Sequence, residues 1–580
     1  MADPVGVAGT ALGATSLLAQ VFEGTVKAIQ LWRKAGGIGE DAAVFQTRLE
    51  LQLARFKSWG FDWKLDCGPA GLNVNDRRFQ DHGDTAIKYV VLIHHFIDQL
   101  DSLVSGSNAI KTAGQASVLP TSSIERLLDL ASPNSGERQA LSDKIRSVQE
   151  NSDLKEQLSW AVKDGEPLKA LDRLESLIND LTSFFTPPRV DPASKLALNS
   201  LLATMNLAKL QMISVQPDAD SELRGLALLK STIIQMNARE SVFGGEDVTE
   251  DEADLEETSP RDEKNGRGFG VFEKNGPQNV LVEFKEVGSS ECPPKHSLFT
   301  FKAMIRHRIE NLARLLKADF KPVEMRTLDC IGVITRHLQG GDLEHGMLFK
   351  VEQESTTLLN ILESQNPTST ARDADLDAGD WYQIATTLSR AVLFLHLAGW
   401  LHKGIRSDNI MFFAKQGQDF SYSEPYIVGF EYTREASSAG QTEGVDDDIG
   451  NNLYRHPEVQ GLPVQNSRTN SARNARTPFD YRHDIYSFGI VLLELGLRET
   501  VETMQRRASV MAGYSNHTAD GFREYLLIHE VPKLSSRMGK GYREATQQCL
   551  EGGVVATGDR SIQEDFYLKV GRILDGYRVN

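Results

Sequence analysis

The chain has 580 residues, too many for one ordinary hydrophobic core, so two or three domains are predicted. Its formal net charge of −17 opposes binding to nucleic-acid backbones and limits contact with anionic lipid to local patches. The four cysteines are scattered without metal-ligand spacing, which is typical of reduced thiols in an intracellular protein. A cytoplasmic protein that binds no nucleic acid is therefore expected.

The first informative segment is Pro4–Phe22, which contains no charged residue. It is nearly long enough to span a bilayer as a helix, and Gly9 and Gly13 have the G-x-x-x-G spacing that lets helices approach closely. Two interpretations follow: a helix that enters membrane lipid under certain conditions, or an ordinary first helix of a bundle. The residues that would carry membrane activity are Val7, Gly9, Leu12, Gly13, Leu17, Leu18, Val21 and Phe22.

Helical periodicity dominates the next two hundred residues, and strand signals are nearly absent. Apolar residues at three- and four-residue intervals, such as Leu49, Leu53 and Phe56, predict one buried face per helix. The predicted helices cover residues 43–59, 84–103, 154–185, 193–213 and 221–240. Residues 1–240 are therefore expected to form an all-α helical bundle.

The stretch GGEDVTEDEADLEETSP, residues 244–260, interrupts this pattern. It is acidic and poor in aromatic residues, so it buries too little apolar surface to offset its ordering entropy. A disordered acidic linker is predicted over residues 241–262, and it separates the bundle from a C-terminal part, residues 263–580.

The C-terminal part has a different pattern. A hairpin is predicted from Val271 to Lys285, with Asn275-Gly276 as its turn. The other predicted elements are a helix over 302–318, strands over 327–334 and 346–352, and helices from Asp380 onward. We expect an α+β unit with two lobes, a β-rich lobe at 263–355 and a helical lobe at 356–580.

Residues 402–409 read His-Lys-Gly-Ile-Arg-Ser-Asp-Asn and follow a long amphipathic stretch. This pattern resembles the protein-kinase catalytic loop H-R-D-L-x-x-x-N, with Gly404 in place of the aspartate base. Further on, Gly429-Phe430-Glu431 stands where kinases have the metal-binding D-F-G. Both carboxylates are missing, and general-base assistance alone contributes about 10²–10⁴-fold to such reactions. The resemblance implies a two-lobed kinase-like fold without catalysis, a pseudokinase.

Other positions of the kinase pattern are retained. The resemblance implies structural roles for His402, Glu458 and Asp484. If ATP binding is retained, the residues that would bind the nucleotide are Lys285, Glu310, Gly266, Gly268, Gly270 and Asn409. Whether ATP binds stays open, and magnesium is not expected to bind unless Asp408 or Glu431 replaces the lost metal ligand from a displaced position.

The apolar first segment is followed by Gly36–Asp41 and by Phe45–Leu49. Together these stretches resemble the start of fungal HeLo domains, helical bundles of heterokaryon-incompatibility proteins. In that family the bundle executes programmed cell death after its first helix inserts into the membrane on oligomerisation. The resemblance implies a membrane-active effector bundle, here controlled by the C-terminal pseudokinase.

Two alternatives are an atypical ATP-binding Ser/Thr-type protein kinase and a non-catalytic interaction scaffold. The expected partners are membrane lipid through the first helix, an upstream kinase or another protein, and further copies of the chain in a homo-oligomer formed on activation. The protein is expected in the cytoplasm and, conditionally, at the plasma membrane.

Overall fold

The computed structural model describes most of residues 247–576 and parts of the chain before them. The described positions are 18–19, 22–23, 25–26, 42–63, 65, 86, 89–90, 93, 167–185, 202, 205–215, 221–238 and 247–576 without 263–264, 275, 289–291, 293–296, 318–320, 353, 365–375, 416, 431–432, 436–447, 461–477, 512–517 and 558–560. Contacts divide the chain into two compact units, Met1–Leu201 and Leu202–Asn580. The described part of the first unit is helical and the second is mixed, which agrees with the predicted α and α+β parts.

The helices are α1 (Ala42–Asp62), α2 (Pro167–Phe184), α3 (Leu207–Val215), α4 (Ser221–Ala238), α5 (Leu298–Lys317), α6 (Leu358–Ser364), α7 (Ala378–Leu397), α8 (Ile449–Tyr454), α9 (Tyr481–Leu497), α10 (Val501–Val510), α11 (Ala519–Tyr525), α12 (Leu534–Arg537), α13 (Lys540–Glu551), α14 (Ile562–Phe566) and α15 (Arg572–Asp575). The strands are β1 (Leu255–Glu257), β2 (Arg267–Phe272), β3 (Gln278–Val287), β4 (Cys330–His337), β5 (Leu343–Lys350), β6 (Glu354–Thr357), β7 (Trp400–Leu401), β8 (Ile410–Ala414), β9 (Tyr426–Ile427) and β10 (Arg434–Glu435).

Helices α1 and α2 pack against each other in the N-terminal unit. Leu49, Leu53 and Phe56 of α1 are buried, as the apolar periodicity predicts. The predicted helices over 43–59 and 154–185 are thus confirmed as α1 and α2, whereas residues 154–166 and most of 84–103 lie outside the described part.

Polar contacts fasten both ends of this helix pair. The guanidinium of Arg48 donates to the Glu175 carboxylate at 2.8 Å. At the other end, the indole N–H groups of Trp59 and Trp63 donate to the carbonyl oxygen of Phe185, at 2.9 and 3.1 Å. These bonds satisfy the N–H groups of two buried indole rings and so offset the cost of removing them from water.

The segment before α1 contributes to the same core. Leu18 and Phe22 are buried, and the Phe22 ring centroid lies 5.0 Å from that of Phe56 and 6.3 Å from that of Trp59. The Phe22 ring also covers Gly60, where an added Cβ would lie 2.0 Å from its Cζ atom. The two described members of the membrane-active set therefore pack as bundle residues. Of the helices in the described ranges, none is long and apolar enough to cross a membrane.

The second unit contains five antiparallel strands in the order β1-β2-β3-β5-β4. Strands β2 and β3 form the predicted hairpin, in which Phe272 pairs with Gln278 and Arg267 pairs with Glu283. Alternate residues of β3, from Val280 to Phe284, pack with β2, β4 and β5 in a buried apolar core. The predicted helix over 302–318 is α5, which packs on β4 and β5. Those two strands are the predicted strands, shifted by a few residues.

The acidic segment is an ordered edge of this sheet, so the predicted disorder was wrong for residues 247–262. We call residues 247–257 the acidic strap. Its β1 part pairs with β2, and the N–H of Glu250 donates to the Val333 carbonyl at 2.9 Å. The strap is therefore held at two points of the sheet by backbone hydrogen bonds.

Two arginines pair with carboxylates of the strap. Arg336 binds Glu252 and Glu257, both at 2.7 Å. Arg261 binds Glu257 at 3.0 Å and Glu344 at 2.7 Å. The composition of the segment predicted disorder because a charge count does not include a cation such as Arg336, which lies outside the segment.

Arg336→Ala is expected to loosen the acidic strap by about 1 kcal/mol, because its ion pairs are partly exposed and its guanidinium also stacks over Phe284, 5.0 Å from the ring centroid. Amide hydrogen exchange of residues 247–257 in the full chain measures the effect, and exchange in the parent should also accelerate in high salt. Lys350→Ala, at the exposed end of β5, serves as the control. Strap exchange that responds to neither Arg336→Ala nor salt would contradict this role.

The helical part of the second unit is built around α7 and α9, which contact each other, with α13 packed on α9. Helix α9 is buried almost throughout, from His483 to Leu497. Helix α7 begins at a capping box in which Asp377 and Asp380 exchange side-chain-to-backbone hydrogen bonds. This helix pair supports the loop at residues 402–409.

Helices α3 and α4 pack against each other and group with the second unit. Helix α4 also contacts α5 and α7. The division by contacts therefore falls after Leu201, whereas the prediction placed the end of the bundle after residue 240. The predicted helices over 193–213 and 221–240 appear as α3 and α4, with residues before 202 outside the described part.

Candidate functional site

The loop at residues 402–409 is fixed by a buried aspartate of α9. The Asp484 carboxylate accepts the N–H groups of His402 and Lys403, at 2.7 and 2.8 Å. The Nδ1 atom of His402 in turn accepts the N–H of Gly404 at 3.2 Å. Burial lowers the pKa of His402 to about 4, so its ring is neutral at pH 7 and keeps the lone pair that this bond needs.

Two glycines meet at Asn409, the last residue of that loop. The Asn409 Nδ2 atom donates to the Gly404 carbonyl at 2.7 Å. A Cβ built on Gly404 would lie 3.1 Å from this atom, and a Cβ on Gly429 would lie 2.4 Å from it. Gly429 also has a φ of 90°, which residues with side chains rarely adopt. The predicted degenerate positions thus come together, and neither brings a carboxylate.

Arg267 reaches the same point from β2. Its Nη1 atom donates to the Asp408 carbonyl at 2.9 Å, and its Nη2 atom donates to Asn409 Oδ1. Its Nε atom donates to Glu283 at 3.3 Å. The side chains of Arg267 and Glu283 are only 7% and 4% exposed, so solvent does not screen this ion pair.

Glu283 connects Arg267 to the segment after β9. Its carboxylate accepts the N–H groups of Gly429 at 2.5 Å and of Phe430 at 2.9 Å. We call Arg267, Glu283, Asn409 and the two amides at 429 and 430 the cleft network. It joins the hairpin β2–β3 to the loop at 402–409 and to the segment after β9.

The lysine predicted to bind ATP lies on β3, two residues after Glu283. Lys285 is buried and pairs with His345 in the β3–β5 register. Glu310, predicted as the helical partner of Lys285, binds Arg306 at 2.7 Å and Arg314 at 3.5 Å along its own helix. The Glu310 carboxylate therefore supports α5 itself.

The glycines predicted to contact nucleotide phosphate lie in and beside a paired strand. Gly268 and Gly270 belong to β2, which has β3 on one side and β1 on the other. A Cβ on Gly270 would lie 2.6 Å from the Glu256 carbonyl oxygen, so glycine permits the close approach of the two strands. Gly266 precedes the strand with a φ of 60°. This paired strand differs from the open glycine loop whose free N–H groups cradle phosphates.

The chemistry available at the network is limited. The Asn409 oxygen already accepts from a guanidinium, and the Asp408 carboxylate pairs with Arg406 at 2.7 Å. Glu431 lies outside the described residues. A metal ion would have to displace Arg267 before it reached Asn409. The described residues that meet here are therefore engaged with one another by hydrogen bonds and ion pairs.

Arg267 and Glu283 were missed by the sequence reading. One signal was present, since Glu283 is an acid within the apolar run Val280 to Phe284 of the predicted hairpin. A charge in a buried strand needs a partner of opposite charge. Extending the hairpin register outward from its turn places Arg267 opposite that acid.

The other predicted residues divide between the described part and the rest. Glu458 lies in the short 3₁₀ turn Pro457–Val459, with its carboxylate 3.6 Å from His483 Nε2. Leu18 and Phe22 are buried in the first unit. The remaining members of the membrane-active set, Val7, Gly9, Leu12, Gly13, Leu17 and Val21, lie outside the described residues.

Comparison with protein families bears on the N-terminal part. Residues 9–213 match the family HeLo, described as prion-inhibition and propagation. No curated protein matches the chain. The predicted HeLo resemblance is confirmed for these residues, and a HeLo domain implies a signalling role of the cell-death and incompatibility type.

Proposed function

We propose that the chain is a signalling protein in which a membrane-active HeLo bundle is controlled by a kinase-like unit that transfers no phosphate. The family match supports the first part. The layout of the second unit supports a kinase-like fold, because α5 lies between β3 and β4 of an antiparallel sheet and a mainly helical part follows. The cleft network is the observation that carries the loss of catalysis.

Phosphate transfer requires a base and metal ions held against the nucleotide phosphates. Gly404 and Gly429 provide no carboxylate, and Asn409 is engaged by Arg267. The Arg267 guanidinium already places a positive charge beside Asn409, so it would repel a metal cation there. It also pairs with Glu283, whose charge a metal cation would otherwise neutralise. We infer that the site of the cleft network binds neither ATP nor magnesium, and that the unit acts through its shape.

Thermal unfolding of the full chain with ATP, with and without Mg²⁺, tests this inference. The expected result is an unchanged unfolding temperature in both conditions, because no ligand binds the native state. A magnesium-dependent rise, together with transfer of labelled phosphate that Lys285→Met abolishes, would support the alternative of an atypical kinase.

The membrane-active segment must leave the bundle core before it reaches lipid, because Leu18 and Phe22 are buried. Burying one such side chain is worth about 1.5–3 kcal/mol relative to exposing it to water. The bundle therefore restrains the segment, and lipid offers an equally apolar environment once it is released. A signal through the second unit, or oligomerisation, would shift the equilibrium from the segment buried in the bundle toward the segment bound to lipid.

Gly60→Ala is expected to release the segment and to accelerate dye leakage from anionic vesicles by the full chain. The new Cβ would lie 2.0 Å from the Phe22 ring, and that ring is packed against Phe56 and Trp59. The ring must therefore move out of the core or the helix must shift.

Phe22→Leu provides the matched background, because it removes the ring atoms that the new Cβ would meet. In that background, adding Gly60→Ala should change leakage much less than it does in the parent. Circular dichroism checks that each variant keeps its helices. No leakage by any variant, or equal leakage by the parent and Gly60→Ala, would contradict the proposed restraint.

A further inference from the structure

A cluster of three potential metal ligands lies outside the cleft network. His456 and Glu458 belong to the turn after α8, and His483 belongs to the first turn of α9. One ligand atom from each residue lies within 4.8 Å of the other two. Glu458 Oε2 lies 3.6 Å from His483 Nε2.

His483 is the most constrained member of this cluster. Its side chain is 1% exposed, and its Nε2 atom is buried without a hydrogen-bond partner among the described residues. A buried polar atom without a hydrogen-bond partner is destabilising, so this atom calls for a partner. The Glu458 carboxylate is near but beyond hydrogen-bond distance, which leaves space for an ion between them.

One charged neighbour of His483 is already paired. The adjacent cation Arg482 is held by the Asp480 carboxylate at 2.8 Å, so much of its repulsion toward an incoming ion is offset.

We propose that His456, Glu458 and His483 bind a divalent transition-metal ion, with zinc as the best match. Two imidazoles and one carboxylate form a ligand set that zinc accepts, with water in the fourth position. A tetrahedral zinc with bonds of about 2.0–2.1 Å holds its ligand atoms about 3.3 Å apart. The Glu458 side chain is half-exposed and can turn to close the remaining gap.

Binding requires a change of tautomer at His483. Its Nδ1 atom now accepts the N–H of Asp480 at 2.8 Å, so the proton of the neutral ring is on Nε2. When Nε2 binds the ion, that proton moves to Nδ1. The hydrogen bond from the Asp480 N–H is then lost, and the ring must shift toward the Asp480 Oδ1 atom, now 3.5 Å from Nδ1, to donate to it. A carboxylate that accepts the second N–H of a metal-bound histidine is the usual support for such a ligand.

The Nδ1 atom of His456 accepts the N–H of Glu458 at 3.3 Å, a long hydrogen bond. Binding of the ion through Nδ1 would exchange this bond for a metal–nitrogen bond.

The ion would link two parts of the second unit. His456 and Glu458 lie in the turn after α8, whereas His483 immediately precedes Asp484, which holds the N–H groups of His402 and Lys403. Metal binding would therefore fix the turn to the helix that braces the loop at 402–409.

Calorimetric titration of the metal-stripped full chain with ZnCl₂ tests the proposal. One saturable zinc site per chain is expected, and it should be at least tenfold weaker in His456→Gln and in Glu458→Gln. These two residues are only partly buried, so their variants should fold, whereas His483 also caps α9. His307→Gln, on α5, serves as the matched control and should bind zinc like the parent.

Thermal unfolding provides the second measurement. Zinc should raise the unfolding temperature of the parent and of His307→Gln, and Mg²⁺ should not, because magnesium prefers oxygen ligands. Absence of saturable zinc binding would overturn the proposal. Zinc binding that is equally strong in His456→Gln and Glu458→Gln would also overturn it, because the ion would then be held elsewhere.

Discussion

Arg267→Met is expected to destabilise the second unit by about 3–5 kcal/mol, the range observed when one partner of a buried ion pair is removed. Methionine fills part of the space of the arginine stem but leaves the Glu283 carboxylate without its cation. Asp408 and Asn409 each lose a hydrogen-bond donor at the same time. Urea unfolding of the full chain, followed by amide hydrogen exchange in β2 and β3, measures the loss.

Two further variants separate charge from hydrogen bonding. Arg267→Lys keeps the charge but cannot reach three acceptors with one ammonium group, so an intermediate loss is expected. Adding Glu283→Gln to Arg267→Met removes the unpaired charge, and the amide oxygen can still accept an N–H from the segment at 429–430. This double variant should be more stable than Arg267→Met alone.

Arg336→Ala provides the matched comparison, since Arg336 is a strand arginine with partly exposed carboxylate partners. The expected losses in the free energy of unfolding differ by several-fold, because of these two arginines Arg267 has the ion pair that is shielded from water. Equal stability of Arg267→Met and Arg336→Ala would show that the cleft network does not hold the unit together.

Restoring aspartate at Gly429 is expected to lower stability by about 2–5 kcal/mol and to give no phosphate transfer. A side chain at a left-handed backbone position costs roughly 1–2 kcal/mol, and overpacking adds about 1–3 kcal/mol. The Cβ would lie 2.4–2.7 Å from three atoms of the Asn409 side chain. Chemical denaturation and transfer of labelled phosphate measure the two results.

Gly276→Asp is the matched control for this change. Gly276 has the same φ of 90°, but an added Cβ there would meet nothing within 4 Å. The difference between the two variants therefore isolates the collision with Asn409 from the strain of the backbone. Restoring both Gly404→Asp and Gly429→Asp should still give no transfer, because Arg267 occupies Asn409. Measurable transfer by that double variant would contradict the inference that this site binds neither ATP nor magnesium.

Local patterns in the sequence predicted most of the elements near the cleft network. The hairpin β2–β3, helix α5 and strands β4 and β5 were recognised because their signals lie within a few consecutive residues. The positions of Gly404, Asn409 and Gly429 were recognised from motif spacing. These three residues come together only in the folded chain, where Asn409 contacts both glycines.

The parts that were missed depend on contacts between distant positions. Arg267 binds Asn409 across 142 positions of the chain, so no short window contains both residues. The acidic strap was misjudged for the same reason, since its cation Arg336 lies 84 positions after Glu252. The composition of a segment gives its charge. Whether the segment is ordered also depends on residues of opposite charge that are distant in sequence and bind it in the folded chain.

The acidic strap also imposes an order on synthesis. Because Arg336 follows Glu252 by 84 residues, the strap emerges well before this cation, although Arg261 follows Glu257 at once. At 5–20 residues per second, ribosomal elongation makes this delay roughly 4–17 s. Mutual repulsion among its carboxylates should keep the waiting strand from pairing with the edges of other chains. During this interval the N-terminal unit, already synthesised, can fold before the sheet closes.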